Sequence, residues 1–130
     1  MATLPFEKLV VYQLSEQLAD EVWDIATAWP TFAKNTVGGQ LVRAADSIGA
    51  NIAERTGRGT YAENRRFVRM ARGSLYESRH WLRRAYQRKL LTDKNVQSLK
   101  KLVDQLPLKL NAYLNSIGKT RTPNTVVNDK

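Results

Sequence analysis

Apolar residues recur at helical spacing along nearly the whole chain, and no stretch alternates as a strand would. A first helix is predicted from about Pro5 to Ala28, with Pro5 in its first turn, where a missing N–H costs nothing. Its apolar stripe is Leu14, Leu18, Val22 and Ile25, while Glu16, Asp20 and Asp24 share a second, acidic face. Trp29-Pro30 ends it, because proline disfavours a helical residue before it. A second helix is predicted from about Thr36 or Val37 to Arg55, with Leu41, Ala45, Ile48 and Ile52 facing inward. Gly57, Gly59 and Thr60 make a short loop.

The third helix, from about Tyr61 to Lys89, has Phe67, Ala71, Leu75, Ser78, Leu82 and Ala85 as its apolar face. Thr92 is a candidate N-cap for the fourth, which runs to about Ile117 on the stripe Leu99, Val103, Leu106, Leu110, Leu114 and Ile117. Pro107 interrupts that stripe and predicts a kink or local break. Gly118 ends the helix. Four long helices with short connections predict an all-α, antiparallel up-down-up-down bundle over residues 5–117, with a flexible polar tail over 118–130.

A chain of 130 residues suits one domain with one core. It has no cysteine, which excludes disulfides and thiolate catalysis. No apolar run is long enough to span a bilayer, and no targeting segment is visible, so the chain reads as soluble and cytoplasmic with no membrane partner.

Charge changes the picture more than composition does. The formal net charge is +9, and the segment from Arg55 to Lys89 carries all of it, with eleven basic residues against Glu63 and Glu77. On the third helix, Arg65, Arg69, Arg72, Arg79 and Arg83 fall within about 80° of one another and span about 27 Å. Tyr76 fills the missing position of this stripe, and Arg55, Arg58, Arg66, Arg84 and Arg88 flank it. Arginine grips phosphate and carboxylate through a planar fork of donors. One reading is therefore a nucleic-acid surface that tracks phosphates, with Tyr76 stacking on a base. The other is a protein contact, because Glu16, Asp20 and Asp24 offer an acidic stripe of matching period, in this chain or a neighbouring subunit.

Ser47, Asn51 and Glu54 on the second helix, and Ser74 and Glu77 on the third, suggest a structural polar network that fixes helix register. Small residues there, Gly49 and Gly73 among them, suit close helix contact. Ser74, Glu77 and His80 do not make a catalytic set, since no nucleophile elbow, metal spacing or phosphate loop accompanies them. The expectation is a non-enzymatic protein without metal or cofactor. Trp23, Trp29, Phe32, Phe67 and Tyr86 read as core or loop plugs, whereas Trp81 projects about 80° from the centre of its helix's apolar face.

The run Gln40-Leu41-Val42-Arg43-Ala44-Ala45-Asp46-Ser47-Ile48-Gly49-Ala50-Asn51-Ile52-Ala53-Glu54 resembles the signature of a four-helix-bundle family first noted as proteins encoded in ribosomal RNA intervening sequences. Phe6 to Tyr12 and Phe67 to Glu77 are similar to two further motifs of that family. Gly49 stands where the family commonly has proline, and Arg55 where it commonly has glycine. The resemblance implies a bundle assembled into a ring-like homopentamer. It also implies kinship with the accessory variability determinant of diversity-generating retroelements, a basic pentamer that binds nucleic acid and a reverse transcriptase. It implies no established activity, and the family's name licenses no claim of binding ribosomal RNA.

Overall fold

The computed structural model describes residues 4–55 and 60–117, apart from the Arg55 side chain. Gly57 and Gly59 of the expected loop, and the polar tail, lie outside the described residues. Four helices carry the fold: α1 (Val10–Thr27), α2 (Gly39–Arg55), α3 (Tyr61–Gln87) and α4 (Asp93–Ser116). α1 packs on α2 and α4, and α3 packs on the same two, so α1 and α3 stand diagonally across the bundle. The core is one cluster, in which Leu18, Leu41, Ile48, Ile52, Leu75, Leu106 and Leu110 are essentially sealed from solvent. Each such side chain contributes about 1.5–3 kcal/mol relative to exposure.

Several boundaries differ from the sequence reading. The first helix is split: Pro5–Lys8 forms a 3₁₀ turn, Leu9 is extended, and α1 starts at Val10. The Glu7 carboxylate accepts from the Leu4 N–H, which closes the turn early. The second helical stretch begins sooner than expected, with a short α turn over Thr31–Ala33 and a π-helical segment over Lys34–Gly38 that runs directly into α2. Gly38 suits this wound segment, because a Cβ there would sit 3.2 Å from the Ala33 carbonyl oxygen.

α3 stops at Gln87, and Lys89 takes a left-handed conformation with φ of 62°. The Lys89 N–H donates to the Tyr86 carbonyl and the Leu90 N–H to the Ala85 carbonyl, the two bonds of a Schellman cap. Thr92 caps α4 as expected: its hydroxyl accepts from the Asn95 N–H at 3.0 Å, and the Asn95 side chain accepts from the Thr92 N–H. α4 runs through Pro107 as one helix, so of the expected kink or local break the break does not occur. Leu106 and Leu110, buried on either side of that proline, hold the helix in register.

The inward faces are rotated slightly from the predicted stripes. On α1 the buried set is Val11, Ser15, Leu18, Val22 and Ala26, with Leu14 and Ile25 only half-buried. On α3, Val68 rather than Phe67 is buried, and on α4, Leu102 is buried while Val103 is half-buried. Three aromatic assignments fail: Trp23, Phe32 and Tyr86 are 54%, 82% and 57% exposed. Trp29 is a true plug, buried beside Gly38, with its indole N–H donating to the Leu90 carbonyl at 2.9 Å. Trp81 is half-buried against the core, its indole N–H reaching Glu77 at 3.4 Å.

The two internal glycines differ. A Cβ at Gly49 would lie 3.0 Å from the Ser15 hydroxyl and 3.3 Å from the Tyr12 ring, so α1 and α2 use that glycine for close approach. A Cβ at Gly73 would meet nothing within 4 Å. Gly73→Ala is therefore expected to stabilise the protein by about 0.5–1 kcal/mol, because only the backbone-entropy cost of glycine in a helix is removed. Urea unfolding of the two forms checks this, and a lower midpoint for the alanine form contradicts it.

Candidate nucleic-acid interface

The arginine stripe keeps its predicted spacing because α3 is regular throughout, from the Thr60 N-cap to the Schellman cap. It runs along the seam with α4. Arg65 donates to the Leu114 carbonyl at 2.8 Å, and Arg72 donates to the Asn111 side-chain oxygen at 3.0 Å. These two are half-buried and pin the seam. Arg69, Arg79 and Arg83 are exposed, and among the described residues none of them has an ion-pair partner. Tyr76 is 53% exposed on the same edge.

The flanking cations are less uniform. Arg66 and Arg88 are exposed, whereas Arg84 donates to Gln87 at 2.6 Å. Arg58 and the Arg55 side chain lie outside the described residues.

Between α3 and α4, towards the turn that joins them, lies a groove of about 270 Å³. Its floor is apolar, formed by Leu82, Leu99 and Val103 among others. Arg79, Arg83 and Lys100 rim it, and Tyr86 flanks it. Lys100 is held by Asp104 at 2.7 Å, so the uncommitted charge at the rim belongs to the two arginines. Tyr86 is 57% exposed, which corrects its reading as a plug. The signal for it was present in the sequence: it stands ten residues after Tyr76, turned about 80° around α3 and bordering the arginine edge.

The acidic stripe takes the opposite side of the molecule. Glu16, Asp20 and Asp24 are exposed on α1, and Glu16 and Asp20 line a groove against α2 together with Tyr12, Asp46 and Gly49. Because α1 and α3 are diagonal, this acidic seam and the arginine seam do not meet within one chain. Burial, then the negative charge of Glu16, a hydrogen bond with it and the charge of Glu7 push the Tyr12 hydroxyl above its ordinary range. Partial desolvation between the helices, and secondly the charge of Asp20, raise the Asp46 carboxyl above its usual 3.8.

Raised affinity for that proton means the charged form of Asp46 opposes folding. The cost is full above the folded-state value and vanishes below the unfolded one. Asp46→Asn is thus expected to raise the thermal midpoint at neutral pH and to leave it unchanged near pH 3. Melting curves at the two pH values check the sign.

Of the polar residues expected to fix helix register, Ser47, Asn51, Ser74 and Glu77 make hydrogen bonds within their own helices. The Ser47 hydroxyl donates to the Arg43 carbonyl, and the Asn51 amide donates to the Ser47 carbonyl. The Ser74 carbonyl accepts from the sealed Ser78 hydroxyl at 2.8 Å, and Glu77 receives the Trp81 indole. His80 is exposed and stacks edge-on against Trp81 with ring centroids 4.7 Å apart. Glu54 lies exposed near the end of α2.

Residues 7–112 match the model of the 23S rRNA-intervening sequence protein family. The chain belongs to that family. Its fold is similar to a crystal structure of a protein of unknown function from the S23 ribosomal protein family of Bacteroides thetaiotaomicron. That likeness has a TM-score of 0.72 at 21% identity and covers 82% of this chain and 96% of the other. No curated protein matches the chain. Among the described residues, no helix of this family member is long and apolar enough to cross a membrane.

Proposed function

We propose that this protein is a non-enzymatic nucleic-acid-binding protein that holds the phosphate backbone along the arginine edge of α3, with little sequence specificity. The observation that carries this reading is the exposure of Arg69, Arg79 and Arg83 without ion-pair partners among the described residues. Three uncommitted guanidiniums on one rigid helix present fixed forks of donors to successive phosphates. Guanidinium-to-phosphate contacts position a strand and do not read its sequence. The homo-oligomer implied by the family resemblance would repeat this edge and strengthen its field. The test is fluorescence anisotropy of nuclease-treated protein with labelled RNA and DNA at low salt. Binding that weakens steeply with added salt supports the reading, and no binding to either sinks it.

A second reading rests on the segregation of charge. The basic seam between α3 and α4 faces away from the acidic seam between α1 and α2. Opposite charges on opposite sides favour a head-to-tail contact between copies, and such contacts close into rings when the rotation permits. In that case the protein is an assembly or adaptor module, and a reverse transcriptase is the protein partner that the family resemblance suggests.

A further inference from the structure

Resting on the nucleic-acid reading above, we propose that the groove between α3 and α4 takes one unpaired nucleobase, so that the protein prefers single strands to duplex. The groove and the arginine edge are one surface, because Arg79 and Arg83 belong to both. Phosphates need the arginines and gain nothing from a floor of Leu82, Leu99 and Val103. The flat face of a base does gain from it, since covering apolar surface is favourable and the base edge stays open to water. At about 270 Å³ the groove exceeds the cavity of about 150 Å³ that holds a benzene ring. A duplex keeps its bases paired and stacked inside, and reaches only the rim.

The tyrosines give a second, independent argument. Tyr76 and Tyr86 are both more than half exposed and lie about 15 Å apart along α3. Arg79 and Arg83 fall between them in height and in angle around the helix. Rings for stacking that alternate with cations for phosphate are what a single strand requires of its binding surface. A floor without donors or acceptors cannot distinguish base identities, so the site tolerates any sequence. Lys100 adds little, because Asp104 already neutralises it.

The experiment compares three labelled probes of equal length on nuclease-treated protein: a single-stranded oligothymidylate, an abasic strand with the same phosphates, and a duplex. The single strand is expected to bind most tightly. Tyr86→Ala, at an exposed position that leaves the fold intact, should weaken it by about 5- to 150-fold and leave duplex binding unchanged. The abasic strand should show no dependence on Tyr86. Equal binding of all three probes, unaffected by Tyr86→Ala, overturns the base site while leaving the phosphate edge in place. Absence of binding to any probe overturns the nucleic-acid reading and the base site with it.

Discussion

Replacing Arg69, Arg79 and Arg83 together by glutamate is expected to lower affinity for single-stranded nucleic acid by about 100-fold or more at low salt. Each reversal removes two units of charge, so the formal net charge falls from +9 to +3. All three side chains are exposed and make no described intramolecular ion pair, so their loss leaves the bundle's own contacts untouched. Helical content by circular dichroism should therefore match the parent. Three uncommitted arginines on three phosphates give a slope of log K against log salt of about −2 on a single strand. Reversing all three should bring that slope close to zero. Affinity and slope that stay unchanged would remove the arginine edge from the function. Size-exclusion chromatography of the same variant separates the two readings. If it retains its oligomeric state and loses binding, the edge serves nucleic acid. If it falls apart, the edge meets the acidic seam of a neighbour.

Trp29→Ala is expected to cost about 3–5 kcal/mol of stability, seen as a fall of roughly 10–20 °C in the thermal midpoint. Trp29 sits between the end of α1 and the π-helical segment, packs beside Gly38, and donates its indole N–H to the Leu90 carbonyl. It joins two connections that are 61 residues apart in the chain. Trp29→Phe keeps most of the ring but loses that donor, so its cost should be about 1–3 kcal/mol. The ordering of the two variants in urea unfolding is the check. Equal losses would mean that the hydrogen bond carries the joint, and negligible losses that the joint does not matter.

Much of the bundle was legible because buried helix faces impose a period of 3.6 on the sequence. Leu41, Ala45, Ile48 and Ile52 are all buried as their spacing requires. Helix ends were legible where a local side chain writes them, as at Thr92. They were less so at Gln87, where Lys89 takes a left-handed conformation that glycine would usually mark. Near Phe67 and Val68 the pattern allowed two neighbouring faces, and only the position of α2 and α4 against α3 selected valine. Pro107 illustrates the same limit, since packing on both sides holds a helix that local rules would interrupt.

The sequence by itself determined the four helices, the family, and the row of arginines along α3, because each depends on residues close together in the chain. The tertiary structure decided what those arginines face. Two of the five are tied to α4, three are left open to solvent, and the acidic stripe is carried to the opposite side. It also made the groove beside Tyr86, which belongs to neither helix alone. Spacing along a helix sets the angle of each side chain, but only packing between helices sets its neighbours and its access to water.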